Sequence, residues 1–316
     1  MKNRRILTVL LLPFLGLMGI FLLGLGSGLV QSFGVVPSLG LETPTLRYYR
    51  EMLKLPAFWK SAGYSLYLSV VSSVIAVLGG IGLCWALVRV DRSRHPHLMR
   101  LLQLPILVPH VAVALFVMSL FSQTGLLARV LYAVGLLQER GDFPGLLYDP
   151  AGVGIILAYL WKEIPFVAFF TVTLMASVHE NLGETARNLG ATPGQAFFRV
   201  TLPMCAPAIR NAFLIILAFS FGAYELPFLL GPTAPKALPV AAYLEYLSPE
   251  LRNRPKAMAM NSVMLLISLG LVWAYSLLFR RQARAAGKQV NKLEFLKVQA
   301  LHLAGADMII LRSTRF

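Results

Sequence analysis

Charge is what this sequence has least of. Only 14% of its 316 residues are Asp, Glu, Lys or Arg, against about 25% in a soluble globular domain. Hydrophobic residues make up 57%, so the bilayer is the solvent the composition implies. Cysteine is nearly absent as well. Cys84 sits inside one apolar run and Cys205 just ahead of another, which excludes a disulfide framework and a cysteine metal site and leaves two packing thiols. The five histidines, His95, His97, His110, His179 and His302, are scattered without the spacing or acidic partner of a metal centre. No metal and no cofactor are expected. A phosphate-cradling loop is missing too, because the one Gly-Lys pair, Gly287–Lys288, is followed by Gln289 and not by Ser or Thr. No cluster of His, Asp, Glu or Ser gathers near one interface as a polytopic membrane enzyme would need. Catalysis, ATP hydrolysis included, is not expected of this chain.

What the sequence does have is long apolar runs. A span needs about 20 mostly apolar residues to cross about 30 Å of hydrocarbon, and six runs meet that length: Ile6–Val30, Ala62–Val88, Leu101–Phe121, Gly152–Val178, Ala208–Leu230 and Ala257–Phe279. The predicted fold class is all-α, a polytopic membrane protein with six transmembrane helices and both termini in the cytoplasm. Lys2, Arg4 and Arg5 precede the first run as in a secretory signal, but the run outlasts a signal core of about 7–15 residues and reads as a retained span. The net charge of +15 would suggest nucleic acid in a soluble protein. Here the basic residues flank apolar runs, so nucleic acid is not an expected partner and membrane lipid is.

The orientation follows from Arg89, Arg92, Arg94 and Arg100 in one short loop and from Arg280, Arg281 and Arg284 after the last span. Arg47, Arg50, Lys54, Lys60, Arg129, Arg140, Arg252, Arg254 and Lys256 fall on the other side and weaken the bias. Three segments result: residues 1–60, a first span and outer segment; residues 61–281, a core of five spans; and residues 282–316, a basic cytoplasmic tail. Pro105, Pro109, Pro165 and Pro227 lie within or beside spans. Each removes a backbone donor. Either they are the prolines usual in membrane helices, or they mark breaks that line a path.

The inside loop between spans four and five, residues 179–207, is polar and patterned. It reads as two short helices joined at Gly190, with Asn181 capping the first three residues ahead of Glu184, and Thr192 capping the second ahead of Pro193 and Gln195. Ala196, Phe197, Val200 and Leu202 offer apolar surface, either to a groove on a soluble partner or to the lipid surface.

Glu184, Ala186, Gly190, Val200, Leu202 and Pro203 stand at the spacing of the EAA loop: Glu-Ala-Ala, three residues, Gly, nine residues, Ile, one residue, Leu-Pro. Thr185 and Val200 are the departures, still small and still β-branched. On this match the chain resembles the permease subunits of ABC importers, over about Ala57–Arg281. The resemblance implies a multi-pass protein of the bacterial inner membrane whose loop is a coupling helix docked on a cytoplasmic ABC ATPase. It also implies a second permease subunit, identical or paralogous, and an extracytoplasmic substrate-binding protein. The runs Trp161–Phe166 and Ser220–Gly231 are similar to the polyamine (spermidine/putrescine) type, whose relatives also carry iron(III), thiamine or phosphonates. The coupling residues carried over are Glu184, Ala186, Gly190, Phe197, Val200, Leu202 and Pro203.

Lys162 and Glu163 in span four and Glu225 in span five are charges at membrane depth, where each costs about 2.5–3.5 kcal/mol unless it faces protein or water. Two readings stand. Lys162 and Glu225 form a structural pair between helices, or Glu163 or Glu225, with Tyr224 beside it, lines the pathway and favours a cationic substrate. A secondary transporter driven by an ion gradient would also place charges at mid-depth, but it gives no reason for the capped loop.

Overall fold

The structure is a computed structural model and describes residues 2–89, 96–139 and 142–277. Among them there is no β-strand, only a single bridge between Val36 and Leu41. Six helical stretches are long and apolar enough to cross a membrane: Leu11–Ser32, Pro56–Leu87, His110–Ala133, Val153–Asn188, Pro193–Gly222 and Leu251–Leu277. The chain divides into two compact units, Met1–Ser268 and Leu269–Phe316. The described part of the second, 269–277, is helical, with the Ser276 hydroxyl donating to the Trp273 carbonyl at 2.8 Å. The tail 282–316, Arg92 and Arg94 of the basic loop, Arg140, and Arg280, Arg281 and Arg284 all lie outside the described residues.

The first unit is built on three helices, α3 (Pro56–Leu87), α7 (Val153–Val178) and α10 (Leu202–Gly222), which pack on one another, with α4 (Pro96–Leu107) against α7. Lipid tails are as apolar as leucine, so helices in a bilayer associate through close packing of small residues more than through hydrophobic burial. The buried face of α3 is made of such residues: Ser61, Ser65, Ser69, Ser72, Ser73, Ala76, Gly80 and Cys84, recurring every three or four positions. At Gly80 the approach to α7 is tightest. A Cβ there would lie 2.6 Å from Cγ1 of Val167 and 3.3 Å from the Ile164 carbonyl. α1 (Lys2–Ser32) stands apart as an exposed apolar helix. It is tied at its end by the Ser32 hydroxyl, 2.6 Å from that of Tyr49 in α2 (Arg47–Lys54).

Two expected spans come out differently. The run Leu101–Phe121 is split into α4 and α5 (His110–Phe121), and α6 (Leu126–Ala133) folds onto α5. The split falls at Val108–Pro109, because Pro109 has no N–H and the residue before a proline is driven out of the helical region. The run Ala208–Leu230 is cut as well. α10 starts earlier, at Leu202, and stops at Gly222, and α11 (Glu225–Leu230) begins after Ala223 turns extended (ψ 132). α12 (Leu238–Tyr246) then packs against α3, where the Leu238 N–H donates to the Ser65 hydroxyl at 2.7 Å.

Gly80→Leu is expected to lower the thermal midpoint of the purified chain in detergent, since overpacking a close contact costs about 1–3 kcal/mol. Gly82→Leu, on the same helix with nothing within 4 Å, should leave the midpoint in place. Equal midpoints for the two variants would contradict the close packing of α3 on α7.

Candidate functional site

Both helix breaks open onto one face of α7. Tyr159, Lys162 and Glu163 are three and four positions apart and therefore share that face. Lys162, the tenth residue of α7, donates to the Val108 carbonyl at 2.5 Å. That carbonyl lies one residue past α4, where a helix end carries partial negative charge and a cation is favoured. Tyr159 donates its hydroxyl to the Ser220 carbonyl at 3.4 Å, in the last turn of α10. The Ser220 hydroxyl donates in turn to Oε1 of Glu163. Glu163 is only 4% exposed, and its Oε2 is buried with no hydrogen-bond partner among the described residues.

The starts of the two continuing helices also meet. Nδ1 of His110, the first residue of α5, is 3.5 Å from Oε2 of Glu225, the first residue of α11. The His110 ring lies 5.2 Å from that of Phe219. A cavity of about 210 Å³ opens between these elements, lined by His110, Tyr159, Lys162 and Glu163 together with apolar side chains of α4, α7 and α10. The Glu225 side chain is 51% exposed, and Tyr224 beside it stacks on Phe228 at 5.0 Å and meets Tyr243 of α12 at 4.5 Å.

The expected Lys162–Glu225 pair is therefore replaced. Lys162 turns to the carbonyl left by the α4–α5 break, and Glu225 pairs with His110. Tyr159, His110 and Ser220 have no role in the sequence reading. Pro109 was the available signal, since a broken helix in a bilayer must recruit side-chain donors.

At the other end of α7 lies the patterned loop. The first of the two expected loop helices is not separate. α7 runs through a wide π-type turn, His179–Gly183, directly into α8 (Glu184–Asn188). Asn181 is accordingly not a cap, and its amide donates back to the Ser177 carbonyl at 2.7 Å. Gly190 does turn left-handed, at φ 93°. Its N–H reaches the Arg187 carbonyl at 2.9 Å and that of Ala191 the Ala186 carbonyl at 3.0 Å, the Schellman ending of a helix. Thr192 forms the expected capping box with Gln195, at 3.3 Å and 3.0 Å, and opens α9 (Pro193–Ala196). A second wide turn, Phe197–Thr201, leads into α10, and the two wide turns are tied by His179 Nδ1 and the Thr201 hydroxyl at 3.1 Å.

Of the loop residues singled out from sequence, Glu184, Gly190 and Pro203 are exposed, and Ala186, Val200 and Leu202 are partly buried. Phe197 and Ala196 are corrections. Both are fully buried, Phe197 among Cys84, Leu102, Met175 and Cys205 with its ring beside Trp85, so neither offers surface to a partner. The apolar surface comes instead from Phe198 and from Leu189, which is 85% exposed at the tip beside Gly190.

Six helical stretches of bilayer length, with ionisable side chains set within them and a sharply turned loop after α7, are the form of a multi-pass membrane protein. The model of one family, the binding-protein-dependent transport system inner membrane component, matches residues 77–284. The chain belongs to that family and is a permease subunit of the bacterial inner membrane. It is 27% identical over 230 residues to a probable ABC transporter permease, YurN, of Bacillus subtilis, covering 72% of this chain and 78% of that one. It is 29% identical over 192 residues to the putrescine permease PotI of Escherichia coli, covering 60% and 62%. The spermidine/putrescine permease PotB of Salmonella typhimurium is 25% identical over 251 residues, covering 79% and 83%. In fold it resembles a chain of a bacterial ABC transporter that imports alginate, with a TM-score of 0.73, 23% identity, and 89% and 96% of the two chains covered.

Lys162→Met should destabilise the chain by about 1–3 kcal/mol, the cost of leaving a buried acceptor unsatisfied, while Glu225→Gln should change stability by less than about 0.5 kcal/mol. Thermal melts in detergent decide it. A Glu225→Gln loss as large as that of Lys162→Met, restored in the double variant, would reinstate the direct pair.

Proposed function

We propose that this permease subunit forms the translocation pathway with a second, identical or paralogous permease and couples it through the loop 179–207 to a cytoplasmic ABC ATPase. An extracytoplasmic substrate-binding protein delivers the cargo. The carrying observation is Leu189. A large apolar side chain 85% exposed to water needs a reason to be there, and this one sits at the tip of a hairpin whose geometry is fixed by the Gly190 turn and the Thr192 box. A groove on a soluble partner supplies that reason. Glu184, Arg187 and Asn188 flank a polar cleft beside the tip, which suits a rim of charged contacts around the apolar knob. On this reading the loop and both termini face the cytoplasm, and the expectation rests on Arg89 and Arg100 as well.

For the cargo, the reading is a small organic cation of the polyamine type. Glu225 is exposed beside the rings of Tyr224, Phe228 and Tyr243, and a carboxylate next to aromatic faces suits an ammonium group. PotI and PotB, by their names, carry putrescine and spermidine. Glu163 lines the cavity with its buried carboxyl bonded to Ser220, and Lys162 holds the helix break.

Two experiments check the proposal. Leu189→Glu should reduce co-purification of the ATPase about tenfold or more, equivalent to about 1.4 kcal/mol, with the melting midpoint unchanged. Gly190→Val should act the same way, because a β-branched residue at positive φ strains the turn. Undiminished capture by both variants would overturn the coupling assignment. In uptake assays with labelled putrescine, Glu225→Gln should reduce transport about tenfold at unchanged protein level, an effect of about 1.4 kcal/mol. Unchanged uptake would remove Glu225 from the pathway.

A further inference from the structure

A second opening lies at the end of the bundle opposite the loop. It is a groove of about 800 Å³ between the first three turns of α3 and the segment that joins α11 to α12. Its charged lining residues are both cations, Lys60 on α3 and Lys236 on the joining segment. Two other cations are paired: Arg47 donates to Glu51 at 2.6 Å and Lys256 to Glu245 at 3.0 Å. Lys60 and Lys236 have no ion-pair partner among the described residues. Asp149 accepts the N–H groups of Ala151 and Val153 at 3.0 Å each and does not line the groove. The wall is aromatic. Tyr64 and Tyr67 lie with ring planes 20° apart, and the Tyr64 hydroxyl is buried with no hydrogen-bond partner among the described residues. Gly63 lines the groove, with nothing within 4 Å of where a Cβ would project.

Depth separates the occupants such a groove could take. α3 has 32 residues, about 48 Å at about 1.5 Å per residue, against about 30 Å of hydrocarbon. About 9 Å of its start therefore stands at the level of lipid headgroups. Lys60, about 6 Å from the start, is at that level, whereas Tyr67, about 17 Å along, is inside the hydrocarbon. Trp59 is exposed beside them, as aromatic residues at a membrane interface are. One ligand must then present an anion at the top and an apolar body below. A partner in water reaches only the top.

We propose that this groove is a binding site for an anionic phospholipid. The headgroup phosphate sits between Lys60 and Lys236, and the glycerol and first acyl carbons lie along Tyr64 and Tyr67 over Gly63. Ammonium groups bind phosphate as point charges, and basic pockets between transmembrane helices hold acidic headgroups in this manner. The site is independent of the coupling loop and of the cargo.

The test is native mass spectrometry of the full-length chain in detergent, titrated with phosphatidylglycerol and, separately, with phosphatidylcholine. The unaltered chain should prefer phosphatidylglycerol. Each lysine near a membrane surface contributes about fivefold to binding an acidic lipid, so Lys60→Gln with Lys236→Gln should weaken phosphatidylglycerol about 25-fold and leave phosphatidylcholine unchanged. Gly63→Leu, which fills the groove at an open helical position without removing charge, should abolish the preference with the melting midpoint retained. A preference that survives both changes overturns the proposal. So does displacement of phosphatidylglycerol by soluble glycerol phosphate at equal concentration, which would make this a free-anion site. Tighter binding of a soluble hexaglutamate peptide would assign the lysines to an acidic protein partner and overturn it as well.

Discussion

Two helices stop inside the bundle, at Leu107 and at Gly222, and the carbonyl groups left there must find donors where the bilayer supplies no water. An unsatisfied backbone group in hydrocarbon costs several kcal/mol. The chain meets the requirement from one stripe of α7. Lys162 takes the Val108 carbonyl, Tyr159 the Ser220 carbonyl, and Glu163 accepts from the Ser220 hydroxyl. The cost of placing ionisable groups at depth and the cost of breaking two helices thus offset each other. The result is a pair of discontinuous helices whose second halves begin at His110 and Glu225, side by side. A discontinuity satisfied by side chains can be rearranged by moving those side chains, whereas an unbroken helix cannot.

The same helix reaches the other end of the molecule. α7, which carries Pro165, passes into α8 through one wide turn, so the residues that hold the breaks and the Gly190 tip lie on one continuous helical stretch. Phe197, packed against Trp85 and buried among Cys84 and Met175, anchors the returning limb to α3 and α7. Leu189 at the tip is thereby connected to α7 through continuous helix on one limb and through the packed Phe197 on the other. Under the proposed coupling, the stripe of Tyr159, Lys162 and Glu163 is where a displacement of the tip would be felt.

Much of this was legible in the sequence, for reasons that can be stated. Apolar run length is a direct demand of bilayer thickness, so the spans stood out. Caps and left-handed turns depend on one or two residues, so Gly190 and Thr192 were readable locally. What failed depended on partners distant in the chain. Nothing in the sequence near Lys162 says that its ammonium meets a carbonyl 54 residues earlier. Phe197 looked like docking surface because an amphipathic pattern names an apolar face without saying whether its own chain covers it. Asn181 had the spacing of a cap, but no helix began there, since α7 had not ended. Leu189 went unremarked because exposure is not visible in a sequence. Lys162, Glu163 and Glu225 stood out as charges within apolar runs, and their partners did not.

Under the proposed function, the loop makes this chain one half of a pathway driven by ATP. This is tested most directly by uptake into proteoliposomes carrying the permease with its ATPase, second permease and binding protein. Labelled putrescine should accumulate only when ATP is enclosed on the side of the Gly190 loop, and should be indifferent to collapse of the proton and sodium gradients. Uptake that persists without ATP and stops when those gradients are dissipated would contradict the account.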